Sequence, residues 1–387
     1  MKAMLLTRTG RLEDTPLEVR DVPKPVPAAG EILIKVLACG VCHTELDEIE
    51  GRTPPPKLPV VPGHQVVGTV TAIGATDLGH DPESQKGDSP RRSKRRNPVQ
   101  SPRFRSCPAS PGIRVGDRVG VAWIHSACGK CDYCRSGQEN LCPEFKATGR
   151  DENGGYAEYM TVPEHFAYLI PEAFTDVEAA PLLCAGAVGY RSLRLAGWGL
   201  GHNPNSAEEL GYVPRSTLGL TGFGASGHLV LKTVRHLYPK THVYVFARSS
   251  EEQTFARELG AIWAGDTNDK APELLDTIID TTPVWSPVLA ALASLKPGGR
   301  LVLNAIRKEE TDKQALLSLD YAKHLWMEKE IKSVANVTRK DVSEFLALAA
   351  RIPIKPEVQE YPLEAANQAL LKLKERRIRG AKVLRID

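Results

Sequence analysis

The stretch Ser216-Thr217-Leu218-Gly219-Leu220-Thr221-Gly222-Phe223-Gly224-Ala225-Ser226-Gly227 decides the fold. Ser216–Thr221 reads as a short apolar strand, and His228–Leu237 reads as a helix, so three spaced glycines sit at a strand-to-helix junction. Gly222 allows the tight turn, Gly224 lets backbone approach a pyrophosphate, and Gly227 permits close packing of helix on strand. Ala225 and Ser226 lie inside that loop, where the helix N-terminus faces the phosphates. Val243–Phe246 follows as the next strand and completes a βαβ unit of the dinucleotide-binding type. Thr277–Asp280 and Leu301–Leu303, the latter after the turn Lys296-Pro297-Gly298-Gly299, extend the same sheet.

Cofactor choice is read just after the second strand. An Asp or Glu there accepts hydrogen bonds from the adenosine ribose of NAD, whereas a small residue with an Arg accommodates the 2′-phosphate of NADP. This chain has Ala247-Arg248-Ser249 and no acid. Arg248 as a charge-assisted donor favours NADP over NAD; an Arg stacked on adenine in an NAD enzyme is the competing reading.

Upstream, Glu31–Ala38, Val66–Ile73 and Arg118–Ile124 read as short strands broken by Gly and Pro, which implies an all-β, barrel-like first domain. Two cysteine groups belong to it. Cys128-x-x-Cys131-x-x-Cys134, answered by Cys142, can wrap one ion tetrahedrally with no open position, the arrangement of a structural zinc. Four unrelated thiols is the competing reading, and the regular repeat of a scarce residue argues against it. Cys42 and His64, each near glycine, with Cys184 as a candidate third ligand, leave one coordination place open, which suits a catalytic zinc.

Cys39-Gly40-Val41-Cys42-His43-Thr44-Glu45, then Gly63-His64-Gln65-Val66-Val67-Gly68, then Cys184-Ala185-Gly186 resemble, in this order, the zinc-dependent medium-chain alcohol dehydrogenases. The resemblance covers nearly the whole chain. It implies a GroES-like β-barrel catalytic domain joined to a Rossmann domain, an α/β plus β architecture. Residues 1–187 would form the catalytic domain, with a structural-zinc lobe at 126–143. Residues 188–333 would form the Rossmann domain, and 334–387 would return to the first. It also implies hydride transfer between an alcohol carbon and nicotinamide C4, two zinc ions per chain, and a dimer or tetramer. Thr44 would relay the alcohol proton, Glu45 would orient His64 in place of the usual Asp, and His43 and Arg379 would contact cofactor phosphates. Asp47 stands where the relay often ends at a His. Gln65 replaces the usual Glu beside His64, from which slower ligand exchange at the metal is expected; unchanged turnover in Gln65→Glu would argue against it. Trp123 and Tyr156 are candidates for the pocket wall or the core, and Cys39 for a small buried hydrophobe.

Composition excludes little else. Charged residues at 25% and hydrophobic ones at 42% are ordinary for a globular protein. The net charge of +3 comes from one stretch, Lys86–Arg114, with nine Lys/Arg against one Asp, so a global nucleic-acid role is not indicated. Residues 80–112 are rich in Ser, Pro, Lys and Arg and cannot bury enough apolar surface to order themselves. Against the family pattern this stretch is an insert, which carries Cys107, and the resemblance implies a second insert between Gly199 and Pro214. The absence of a long apolar run and of a secretory signal leads to the expectation of a cytoplasmic protein acting on a small alcohol or aldehyde. Two other functions compete. One is a zinc-independent, quinone-reductase-like oxidoreductase. The other is an inactive dehydrogenase scaffold whose basic insert binds nucleic acid.

Overall fold

The computed structural model describes residues 1–75, 112–199, 216–352, 354–375 and 380–386. The two inserts (all of 80–111, with most of the basic stretch, and 200–214), Cys107 and Arg379 therefore lie outside the described residues.

Strands β1 (Lys2–Leu6) and β2 (Leu17–Asp21) pair antiparallel. The first large sheet is built on β3 (Glu31–Val41), β4 (Val66–Ile73) and β5 (Arg118–Val121). β6 (Ile124–Ser126) and β7 (Lys146–Ala147) form a separate ribbon, while β8 (Tyr159–Pro163) and β9 (Ala167–Leu169) rejoin the first sheet on β3 and β5. The expected single strand Arg118–Ile124 is thus two strands. At Ala122-Trp123 the chain leaves β4 and pairs with β7 instead. Register shifts between Leu33/Ile34 and Val36/Ala38 of β3 are bulges, the usual device for bending a strand around a barrel.

The second sheet holds six parallel strands in the order β12-β11-β10-β13-β14-β15. They are β10 (Thr217–Thr221), β11 (His242–Phe246), β12 (Trp263–Gly265), β13 (Leu275–Asp280), β14 (Leu295–Leu303) and β15 (Glu330–Ser333). This is the doubly wound order with its switch point between β10 and β13, where ligands bind in open α/β sheets. The chain then returns: β16 (Val358–Pro362) pairs β17 (Ala381–Arg385), and β17 lies antiparallel on β3.

Five helices carry the site. α1 (His43–Ile49) follows β3; α2 (Asp176–Pro181) is capped by Thr175 and Glu178; α3 (Ala187–Leu195) follows a π-helical turn at Leu182–Gly186. α4 (Ala225–Leu237) follows the glycine loop, and α5 (Ser250–Glu258) follows β11. α4 starts three residues earlier than read from the sequence, because Gly224 serves as its N-cap and the loop glycines run directly into the first turn. One continuous hydrophobic core runs from Ala3 to Ile386 through both sheets, and a smaller one fills the outer side of the parallel sheet around Leu275, Leu292 and Leu301. Close packing seats α3 on α4: a Cβ on Gly189 would meet Val230 of α4 at 2.7 Å. Among the described residues, no helix is long and apolar enough to cross a membrane.

Candidate active site

Register brings the first two ligand candidates together. Cys39 of β3 pairs with Val66 of β4, and Gly40 N–H donates to Gln65 O at 2.9 Å, so the end of β3 lies beside the start of β4. Cys42 follows β3 directly as the N-cap of α1. Its sulfur accepts from Thr44 N–H at 3.4 Å, and Glu45 Oε2 accepts from Cys42 N–H at 2.9 Å. His64 precedes β4 by two residues. Gly63 must be glycine here, since its φ is +99° and a Cβ would meet the Tyr156 ring at 2.3 Å. Tyr156 is accordingly a core residue, fully buried against that turn.

Cys184 arrives from a distant segment. The capped helix α2 passes into the π-helical turn 182–186, a distortion frequent at functional sites, and this turn places the Cys184 sulfur 3.2 Å from His64 Nε2. The donor atoms of Cys42, His64 and Cys184 all lie within 4.8 Å of one another. The other imidazole nitrogen, Nδ1, sits 2.5 Å from Glu45 Oε1, and both side chains are buried. The Cys184 thiol bonds the Cys42 sulfur, which holds Cys42 well below its usual pKa and pushes Cys184 well above its own. Burial pulls the His64 pKa down, but Glu45 and the Cys42 sulfur outweigh it and hold it well above its usual value. Burial raises Glu45. The group is rich in buried electron pairs and short of positive charge, which is what a dication relieves.

The second cysteine group also closes in space. Cys128, Cys131, Cys134 and Cys142 offer four sulfurs within 4.8 Å of one another, with Cys128 and Cys134 3.9 Å apart. Backbone N–H groups donate to these sulfurs, from Cys131 to Cys128, and from Cys128 and Glu144 to Cys142, at 3.3–3.4 Å. Those from Lys130 and Cys131 draw Cys128 down to about 7. Four sulfur donors with N–H support match a zinc without an open position.

Cys42, Thr44 and Cys184 open onto a cavity of about 1220 Å³, whose opposite wall is the glycine loop. Gly222 has φ +82°, and a Cβ there would meet Thr281 Oγ1 at 2.5 Å; a Cβ on Gly227 would meet Gly222 O at 2.9 Å. Gly224 has open space before it. Ser226 donates to Ala185 O at 3.1 Å, so the first turn of α4 is tied to the residue after Cys184. His43 is exposed at the cavity wall. Arg248 is exposed on the same wall near the N-terminus of α5, where Ser249 Oγ accepts from Glu252 N–H. Trp123 lines the cavity with its ring 5.0 Å from Phe145. Cys39 is buried in the core, and burial pushes its thiol up.

Residues 28–89 and 105–172 match the family model of the alcohol dehydrogenase GroES-like domain. The probable alcohol dehydrogenase AdhA of Mycobacterium tuberculosis is 38% identical over 386 residues, spanning 100% of this chain and 97% of that protein. The chain belongs to the zinc-dependent medium-chain alcohol dehydrogenase family. An alcohol dehydrogenase of Geobacillus stearothermophilus is 31% identical over 96% of each chain. The fold agrees with a thermostable alcohol dehydrogenase from Pyrobaculum aerophilum (TM-score 0.77, 21% identity, 100% and 99% coverage) and with acetophenone reductase from Geotrichum candidum in complex with NAD (TM-score 0.73, 24% identity, 99% and 96% coverage). The protein is an oxidoreductase of the alcohol dehydrogenase and aldehyde reductase class. Reading the sequence missed Arg52, Asn304, Arg307 and Lys308 of this medium-chain dehydrogenase, which line or brace the cavity. They sit in irregular segments without a motif.

Proposed function

We propose that the chain interconverts small-molecule alcohols and carbonyl compounds with zinc and NAD(P)(H), and that Cys42, His64 and Cys184 hold the catalytic zinc. The observation that carries this reading is the convergence of two sulfurs and one imidazole, from three separate segments, on a cavity shared with the glycine loop. A zinc ion there would polarise the substrate oxygen, and a nicotinamide dinucleotide along Gly222–Gly227 would exchange the hydride.

The chain's own residues supply the rest. Glu45 fixes the orientation of His64 through Nδ1, leaving Nε2 for the metal. The Thr44 hydroxyl, 3.4 Å from the Cys42 sulfur and on the cavity wall, takes or returns the substrate proton. Cys128, Cys131, Cys134 and Cys142 hold a second, structural zinc. The glycine loop with Ala225, Ser226 and His43 receives the pyrophosphate, and Arg248 receives a 2′-phosphate, which favours NADP. The functional division follows residues 1–187, 188–333 and 334–387, in a cytoplasmic homo-oligomer.

A spectrophotometric panel of short, medium and aromatic alcohols with NAD and NADP, alongside a zinc count, tests the reading. Two zinc ions per chain and turnover with at least one dinucleotide are expected. A single ion with no turnover removes the catalytic assignment.

A further inference from the structure

Asp47 lies one turn beyond Thr44 on α1, so both side chains face the cavity. Its carboxylate is almost buried and already has a local partner, since Arg52 Nε donates to Oδ1 at 2.5 Å. A second guanidinium reaches the same oxygen from the other wall: Arg307 Nη2 stands 3.2 Å from Asp47 Oδ1. Arg52 also pairs with Glu50, so Asp47 is only partly balanced by its local partner, and the remaining positive charge comes from Arg307 across the cleft.

Both ends of the Arg307–Asp47 pair are firmly seated. Arg307 belongs to the segment after β14. There Asn304 N–H donates to Asp280 O at 2.7 Å, and Asn304 Nδ2 donates to Ser226 Oγ at 3.3 Å. The next residue, Lys308, pairs with the buried Asp280 and donates to Thr282 O at 2.7 Å and Val284 O at 3.1 Å. This wall therefore moves with the glycine loop. Asp47 is part of α1, whose N-cap is Cys42 and whose first turn holds Thr44 and Glu45.

We propose that Arg307 and Asp47 are positioning residues, a strut across the cleft that sets the distance between the dinucleotide wall and the helix carrying Thr44. This rests on the reading of the cavity as the NAD(P) site. The resemblance places the outer end of a proton relay at Asp47; here that carboxylate is committed to two arginines.

The test is a double-mutant cycle on the zinc-loaded, full-length enzyme with Arg307→Gln, Asp47→Asn and the double variant, plus Arg52→Gln as a control for the local pair. NAD(P)H affinity is read by fluorescence titration, and KM and kcat by steady-state assay. Arg307→Gln should weaken dinucleotide binding about tenfold, read in KM more than in kcat, and the double variant should be no worse than Arg307→Gln alone. Arg307→Lys should recover part of the loss. Unchanged affinity in Arg307→Gln, or fully additive losses in the double variant, overturns the strut. A wild-type enzyme that binds neither dinucleotide overturns the reading of the cavity and the strut with it.

Discussion

Two groups of sulfur donors stand in the same half of the molecule and differ in three respects. The Cys128–Cys142 lobe offers four like donors from a single short segment, partly exposed, with backbone N–H groups aimed at the sulfurs. The Cys42–His64–Cys184 group offers three donors from three segments. It lies deep in the cavity, and a buried carboxylate is its outer support. Four donors would fill a tetrahedral ion from local sequence alone, whereas three would leave one coordination place, on a cavity that the glycine loop also lines. The contrast teaches that donor count sets whether a metal only holds or also reacts, while burial and neighbours decide what reaches it.

The comparison breaks most sharply at the ligands themselves. Cys42→Ala should lower kcat by more than about 100-fold, beyond the usual range for outer partners, and reduce the zinc count from two to one. Its Tm should move little. Thr44→Val should cost about 100-fold in kcat with the metal retained, and Thr44→Ser should restore most of it; equal loss in both would make Thr44 a packing residue. Glu45→Gln keeps all three donors and tests the outer support. Zinc affinity at the buried group, measured by competition with a chelator, should fall about 10- to 100-fold while the lobe keeps its ion. The smallest effect on turnover, and the largest on folding, is expected from Cys131→Ala. Loss of the lobe's ion should lower Tm by roughly 5–10 °C in calorimetry, with the remaining enzyme still active. A Cys131→Ala enzyme that is dead but thermally normal would erase the distinction between the two groups.

Much of this was legible before any tertiary structure. Gly222, Gly224 and Gly227 announced a turn, an approach and a packing contact because each is a local backbone requirement, and their geometry matches those needs. The Cys128–Cys142 lobe was equally readable, since its four donors lie within fifteen residues of one another. Trp123 and Tyr156 were not separable from sequence. Trp123 lay inside a run read as strand and Tyr156 followed two glycines, contexts that do not tell wall from core, and only packing put Trp123 on the cavity and Tyr156 under Gly63. Asp47 was read as a substituted relay residue, but its partner Arg307 was invisible, because an ion pair between a helix and a distant irregular segment leaves no periodic trace.

By itself the sequence determined the types of donor, their order along the chain, and the local backbone shapes that present them, since these depend on near neighbours. Tertiary structure alone decided that the Cys184 sulfur meets His64, that Ser226 ties the dinucleotide helix to the residue after Cys184, and that Arg307 spans the cleft to Asp47. Such contacts follow from strand register and helix packing summed over the whole core, which no single stretch encodes.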